Sequence, residues 1–182
     1  MKELLSKLSS YNLFNYLLPG VIFVATASKF TRYSFIQEDI VIGLFLYYFI
    51  GLVISRFGSV VIEPILRGVS FLKFADYNDF IAASKKDEKI EVLSEANNTY
   101  RTLCSLFVLL LLLKVYERME DRFVFLKDYG AMVVVALLLV MFLFAYRKQT
   151  LYIVKRNQGK WGNRMSMIRS FSVDEGDMFY IQ

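Results

Sequence analysis

The chain has 182 residues, 56% of them apolar, and a formal net charge of +5. It contains no histidine and one cysteine, which excludes histidine-based catalysis, histidine metal sites and an intrachain disulfide. The apolar residues are gathered in blocks with the charged residues between them, a pattern typical of membrane proteins rather than of nucleic-acid-binding proteins. We therefore expect an all-α membrane protein with no catalytic residues, no metal, no cofactor and no direct contact with nucleic acid.

The first predicted membrane-spanning helix covers residues 11–28 and is unusual inside. Asn12 and Asn15 lie near its start, and Pro19 and Gly20 interrupt its apolar sequence one turn later. Because proline lacks an amide donor and its ring clashes with the preceding turn, the sequence predicts a kink or a helix break here. Two interpretations stay open: a kink packed against a neighbouring helix, or a gate lined by the two asparagines.

The second predicted span covers residues 40–62, which is long enough to cross the hydrocarbon core of a bilayer. We expect Arg56, its only charged residue, to reach the cytoplasmic interface or to pair with Glu63. Small residues recur on one face of this helix: Gly43, Gly51, Ser55 and Ser59. Such a face lets another helix approach closely, and a second copy of the chain would satisfy it, so we predict a homo-oligomer.

A polar segment follows, residues 63–101, for which we predict two helices, residues 77–83 and 86–101. Aromatic residues spaced by three are expected to form a stripe on one helical face: Phe71, Phe74, Tyr77 and Phe80. A stripe of this kind is typical of a surface that packs on a membrane or on another subunit. We therefore assign it to partner binding.

Two further spans are predicted, residues 100–116 and 129–146, and the tail from residue 155 to 182 is polar. The pattern of residues 165–173 and 178–181 predicts a small β-hairpin. An isolated hairpin is marginal in water, so we expect it to dock, either on the segment 63–101 or on another protein. Four tail residues are added to the predicted partner-binding surface: Trp161, Met178, Phe179 and Tyr180.

The chain divides into a first transmembrane pair (1–62), a cytoplasmic helical segment (63–101), a second transmembrane pair (102–154) and a cytoplasmic tail (155–182). With both termini inside, the cytoplasmic parts carry 16 of the 22 Lys and Arg residues, in agreement with the positive-inside rule. We predict a four-helix transmembrane bundle in contact with membrane lipid, with a cytoplasmic helical segment and a small soluble tail.

The opening LSSYNLFNYLLPGVIF, with the four predicted spans and the length, resembles the membrane subunits of Kiwa anti-phage defence systems, known as KwaA. The resemblance implies a four-span inner-membrane oligomer that senses envelope disturbance at phage attachment. It also implies a cytoplasmic DNA-binding partner, KwaB. The resemblance includes no mechanistic motif, so no family site residue is carried over. Small multi-span effectors linked to retrons or to cyclic oligonucleotides resemble the chain nearly as well, and they imply a pore that depolarises the cell.

The sequence thus favours a non-catalytic membrane scaffold or sensor that recruits a soluble cytoplasmic protein, with antiviral defence as the setting that the resemblance implies. The alternative is a pore-forming or channel effector, since Asn, Ser and Thr side chains can line a passive pore. An enzyme or a coupled transporter is disfavoured, because the predicted spans contain no carboxylate.

Overall fold

The computed structural model of the protein describes the backbone of residues 2–74, 77–84, 86–87 and 89–174. Within these ranges the regular structure is helical throughout, so the predicted all-α class is confirmed for the described residues. The elements in chain order are α1 (Lys2–Phe30), α2 (Ile40–Phe57), a π-helix (Gly58–Ile62), α3 (Glu63–Gly68), α4 (Tyr77–Ser84), α5 (Lys89–Arg122) and α6 (Val124–Asp174).

Two aspartate side chains fix where long helices begin. Asp39 accepts hydrogen bonds from the backbone amides of Val41 and Ile42, at 2.8 and 3.0 Å, and so caps α2. Asp87 accepts one from the amide of Lys89 at 2.9 Å, where α5 begins. Each carboxylate satisfies amide groups that have no acceptor inside the first turn of the helix.

The backbones of α1 and α2 touch at two glycines, and the helices run antiparallel. A Cβ atom at Gly20 would overlap the carbonyl oxygen of Tyr47, and a Cβ atom at Gly51 would overlap the carbonyl oxygen of Tyr16. The contacts are reciprocal, because in each helix the tyrosine and the glycine lie four residues apart and therefore on one face. Glycine is the residue that permits this approach at both positions.

α1 is continuous through Pro19, so the predicted helix break is wrong. Proline cannot donate a hydrogen bond to the carbonyl group of Asn15, and this loss alone would favour an interruption. Pro19 and Gly20 are both buried, however, and Gly20 lies in the contact with α2. Packing against α2 therefore holds α1 in a helical conformation across the missing hydrogen bond.

α5 packs against both α1 and α2 to form the core. Four buried apolar residues meet there: Ala27, Ile54, Leu106 and Leu110. Gly58 lets α5 approach the π-helix, since a Cβ atom at this position would overlap the hydroxyl group of Ser105. That hydroxyl group donates a hydrogen bond to the carbonyl of Arg101 in its own helix at 2.7 Å, which keeps it close to α5.

The π-helix lies directly before Pro64. The amide of Glu63 donates a hydrogen bond to the carbonyl of Gly58, five residues earlier. Pro64 has no amide to donate to Val60, and in α-helical geometry its ring would clash with that carbonyl group. The wider turn accommodates the proline without ending the helical path.

Two helical stretches, Ile40–Gly68 and Phe125–Lys155, are long and apolar enough to cross a membrane. Little of either stretch is buried inside the chain. In the most apolar part of each, 22% is buried in Ile40–Gly68 and 6% in Phe125–Lys155. In a water-soluble protein such helices would be covered, because monomers rarely expose large contiguous apolar patches. The predicted membrane association is supported to this extent.

The predicted tail hairpin is wrong for its first strand, because residues 165–173 are helical and belong to α6. The second predicted strand, residues 178–181, lies beyond the part of the chain that the structure describes. The preceding NQGKWGN contains glycine but no proline, and glycine costs a helix only about 1 kcal/mol per residue. The chain forms two compact units that divide within α6, Met1–Ala145 and Tyr146–Gln182.

The predicted aromatic stripe does not occupy one helical face. Phe71 and Phe74 lie in the non-helical connection between α3 and α4, whereas Phe80 lies on α4. α3 ends at Gly68 and the backbone turns at Ser70, whose φ is 58°, so the spacing of three no longer corresponds to a helical repeat.

Replacing Gly20 by alanine is expected to destabilise the fold, because the new methyl group would overlap the Tyr47 carbonyl. Overpacking of this kind costs about 1–3 kcal/mol. Gly43→Ala is the matched control: a Cβ there would lie 3.5 Å from the Tyr47 ring, and alanine favours a helix by about 1 kcal/mol. Thermal unfolding in mild detergent should give a lower Tm for Gly20→Ala and an unchanged or higher Tm for Gly43→Ala. Equal Tm values would contradict the close contact.

Candidate functional site at the C-terminal end of α5

Arg32, in the connection between α1 and α2, binds three groups at the C-terminal end of α5. Its Nη1 donates to Oδ1 of Asp121 at 2.7 Å, and its Nη2 donates to Oε2 of Glu120 at 2.6 Å. Nη2 also donates to the backbone carbonyl of Glu117 at 3.1 Å. A cation at the C-terminal end of a helix interacts favourably with the helix dipole as well.

Tyr33 strengthens this arrangement from the same connection. Its hydroxyl group donates to Oε2 of Glu120 at 2.6 Å, and its ring lies 6.2 Å from the ring of Tyr116 on α5. The Glu120 side chain is 13% exposed and that of Asp121 is 61% exposed, so Glu120 is the inner carboxylate. We call the following residues the Arg32 cluster: Arg32, Tyr33, Tyr116, Glu120 and Asp121.

Tyr116 also connects α5 to the start of α6. Its hydroxyl group donates to the carbonyl of Leu126 at 3.1 Å. Gly130 makes room for this contact, because a Cβ atom there would overlap the hydroxyl oxygen. On α5, the ammonium of Lys114 lies 5.8 Å from the ring of Phe30, at the end of α1. The ends of α1, α5 and the first turns of α6 are therefore held together at one place.

The contacts shift the pKa values of three cluster members. The hydrogen bond to Asp121 is the main cause that raises the pKa of Arg32 further above its ordinary value. Burial, followed by the hydrogen bond to Glu120, raises the pKa of the Tyr33 hydroxyl group. The hydrogen bond from Tyr33, assisted by Arg32 and opposed by burial, lowers the pKa of the Glu120 carboxyl group. Arg32 and Glu120 are thus held charged and Tyr33 is held neutral.

A second ion pair lies towards the other end of α5. Nη1 of Arg101 is 2.8 Å from Oε2 of Glu63, and the two side chains are 24% and 10% exposed. Glu63 pairs with Arg101 and not with Arg56, so the predicted Arg56 pair is wrong. The π-helix explains the difference, because its wider turn changes the direction in which the next residue points.

The Arg32 cluster joins two segments of the chain through ion pairs and hydrogen bonds; we also refer to it as the clasp. Its carboxylates are engaged by a guanidinium and a phenol, and no described group of three or more Cys, Asp or Glu residues could hold a metal ion. Ion pairs of this type join two segments and can be released by a change of charge or by a competing ion.

One residue of the predicted small-residue face is in contact with another helix of the same chain. Gly51 faces α1, and Ser55 is buried. Gly43 is buried near Tyr47 of its own helix, and Ser59 is half-buried in the π-helix. Because α1 already covers Gly51, this glycine no longer argues for a second copy. The homo-oligomer stays a prediction.

Among the other predicted residues whose side chains are described within Met1–Ala145, no contact with the Arg32 cluster is found. Asn15 is half-buried on α1, and the side chain of Asn12 is not among those described. Of the partner-binding set, Phe71, Phe74 and Phe80 are exposed. The remaining members fall where side chains or backbone are not described: Tyr77, Trp161, Met178, Phe179 and Tyr180.

Sequence reasoning missed the Arg32 cluster, although a signal was present. The short polar connection after α1 contains Arg32, and the end of α5 contains Glu117, Glu120 and Asp121. The predicted topology places both connections on one side of the membrane, where opposite charges can meet. The missing step was to pair them.

Arg32→Gln is expected to lower the Tm in mild detergent at low salt, because it removes two ion pairs. The loss should shrink at about 1 M salt, where the Debye length is about 3 Å. Arg118→Gln, an exposed position in the same turn region of α5, is the control with the same change of charge. A Tm loss that is equal in the two variants, or independent of salt, would mean that the clasp contributes nothing specific.

The pKa shifts predict a stability that declines at both extremes of pH. The stabilisation from Glu120, whose pKa is lowered, is complete above about pH 4.3 and is lost as the pH falls through its lower folded-state pKa. That from Tyr33, whose pKa is raised, is complete below about pH 10 and is lost as the pH rises through its higher folded-state pKa.

The difference in Tm between wild type and Tyr33→Phe, followed from pH 3 to pH 11, measures this dependence. We expect the alkaline decline to weaken in the variant, and the acid decline to become smaller and to end at higher pH, because Glu120 loses a donor and its folded-state pKa is lowered less. Tyr100→Phe changes an exposed tyrosine (69%) and should leave both declines unchanged. Parallel curves for all three proteins would refute the assignment.

Comparisons of the chain with protein-family models, with curated proteins and with solved structures found no significant match.

Proposed function

We propose that the protein is a non-catalytic, oligomeric scaffold and sensor of the bacterial inner membrane that recruits a soluble cytoplasmic protein. The proposed setting is anti-phage defence, on the basis of the sequence resemblance. The proposed spans are α1, the stretch Ile40–Gly68, the apolar centre of α5 and the apolar part of α6, with both termini in the cytoplasm.

The exposed apolar surface supports insertion into lipid. Leu137, Leu139 and Leu143 of α6 are 64%, 61% and 58% exposed in the folded chain. Burial of apolar surface contributes roughly 25 cal/mol per Å², so a lipid environment stabilises such a helix strongly relative to water. The described spans are helical, so their backbone polar groups bond within the helix, as the hydrocarbon region requires, except where Pro19 and Pro64 supply no amide.

The two ion-pair sites fit a chain in which the connection after α1 and the end of α5 lie on the same side of the membrane. The connection after α1 meets the end of α5 through Arg32, Glu120 and Asp121. An N-in, C-in chain with four spans needs these two connections on the external side. Arg101 and Glu63 then lie towards the cytoplasmic end, near the many basic residues of the cytoplasmic segments.

The continuity of α5 is the observation that carries the sensor proposal. One helix runs from Lys89, next to α4, to Arg122, next to the Arg32 cluster. Its 34 residues span about 51 Å at 1.5 Å per residue, which is more than a bilayer core of about 30 Å. A change at the external clasp therefore has a rigid path to the cytoplasmic segment.

The cytoplasmic part of α5 offers a surface for a protein partner. Val92 and Leu93 are 65% and 67% exposed, and they lie between the charged residues Glu91 and Glu95. Apolar side chains surrounded by charged ones resemble the centre and rim of a protein interface. The resemblance implies that the partner binds DNA.

The decisive experiment is extraction of the tagged full chain in mild detergent from cells that carry its neighbouring genes, followed by native mass measurement. A stoichiometric soluble protein in the complex is the expected result. A homo-oligomer with no other subunit, together with conductance in planar bilayers, would replace the scaffold proposal by the pore alternative.

Deletion of residues 160–182 is expected to leave the protein resistant to carbonate extraction and to reduce partner capture at least tenfold, a loss of about 1.4 kcal/mol. Val92→Asn/Leu93→Asn tests the helical surface in the same assay. Glu91→Gln/Glu95→Gln is the matched control on the same helix and should retain capture. Full capture by both the deletion and the Val92/Leu93 variant would exclude these surfaces as the partner site.

A further inference from the structure

The connection that follows α3 exposes apolar side chains next to basic ones. Ile65, Val69, Phe71 and Phe74 are 56%, 68%, 75% and 47% exposed. A surface that faces only water seldom carries four exposed apolar side chains so close together, and neither does the polar rim of a protein interface. Their exposure therefore calls for an apolar or partly apolar environment.

The backbone holds this segment in a fixed turn. Ser70 has a φ of 58°, and the carbonyl of Leu66 accepts hydrogen bonds from the amides of Phe71 and Leu72 at 3.0 and 3.3 Å. The amide of Ser70 also donates to the carbonyl of Arg67 at 3.0 Å. This bond and the bond from Phe71 to Leu66, around a left-handed residue, form the pair that ends a helix and fixes the direction of the chain that leaves it. Phe71 is thus presented outward by a defined structure.

Within residues 64–74 the charge of the segment is positive. Arg67 and Lys73 are exposed, and residues 64–74 contain no carboxylate. The guanidinium of Arg67 lies 5.2 Å from the centre of the Phe74 ring, which places a cation beside an aromatic side chain. Glu63, the acid that precedes the segment, is buried and paired with Arg101 at 2.8 Å, and the acids that follow the segment are Asp76 and Asp79.

The geometry points to residues 65–74 as an interfacial anchor that binds the headgroups of anionic phospholipids; this inference rests on the proposed membrane function. The segment includes the last four residues of the apolar stretch Ile40–Gly68 and continues beyond it, so its position is at the end of a proposed span. Aromatic side chains favour the headgroup level, and basic residues near a membrane of negative surface potential gain about 1 kcal/mol each. Charge complementarity and this continuity favour lipid over a second copy of the chain or a soluble protein.

The test uses tryptophan fluorescence of the full chain in vesicles. Trp161→Phe removes the only tryptophan, and Phe71→Trp places one in the anchor with little change of character. The protein is reconstituted in phosphatidylcholine vesicles with 0% or 30% phosphatidylglycerol, some with brominated acyl chains. We expect a shorter emission wavelength and stronger quenching by brominated lipid when phosphatidylglycerol is present.

Arg67→Gln/Lys73→Gln should lower the ratio of inserted to non-inserted anchor in anionic vesicles by roughly 10- to 30-fold, since two charges are removed. The control Arg118→Gln/Arg122→Gln also removes two positive charges, at the C-terminal end of α5 and outside the anchor, and should leave the fluorescence signal unchanged. Carbonate extraction of each sample measures, independently of the fluorescence, whether the protein is integrated into the membrane.

Emission that is equal in neutral and anionic vesicles, from a protein that resists extraction, would overturn the anchor and leave the membrane proposal standing. A protein that carbonate removes would overturn the membrane proposal, and the anchor with it. A shift that depends on protein concentration in lipid-free detergent would assign the surface to a second copy and also overturn the anchor.

Discussion

The backbone contact between α1 and α2 is the constraint on which the packing of this protein depends. Gly20 and Gly51 bring the two helices closer than any side chain at these positions would permit. The contact holds Pro19 inside a continuous helix and sets the groove into which α5 packs. In a membrane, where lipid is as apolar as leucine, close packing of this type is the main means by which helices associate.

α5 is the element that joins the remaining parts. Its buried middle, Leu106 and Leu110, completes the core, while polar contacts hold it near both ends. Arg101, on the N-terminal side of this middle, pairs with Glu63, and Arg32 pairs with Glu120 near the C-terminal end. The apolar contacts hold α5 sideways against α1 and α2, and the two sets of ion pairs hold it along its own axis. A long helix held in this way fits the proposed sensor function.

Much of the helical organisation could be predicted from the sequence, because long apolar blocks and the aspartates at 39 and 87 determine where helices lie and begin. Gly51 was predicted as a close-packing residue, but its partner could not be, since a face of small residues does not specify which helix covers it. The aromatic stripe was wrong because it assumed a helical repeat across Ser70, where the helix has already ended. The tail hairpin was wrong because it assumed strands where α6 continues. The Arg32 cluster depends on contacts between residues about 90 positions apart, which no local pattern contains.

The π-helix before Pro64 has a consequence for how the second apolar stretch is interpreted. One extra residue in a turn rotates everything after it by about 100° relative to a regular α-helix. A helical-wheel projection drawn from Ile40 at a constant 3.6 residues per turn would therefore place Glu63 on the wrong side of the helix, pointing away from α5. An insertion or deletion of a single residue between Gly58 and Ile62 would make the same error physically: it would rephase Glu63 relative to Arg101 while leaving hydropathy and length almost unchanged. In this stretch the phase of the helix, more than its composition, carries structural information.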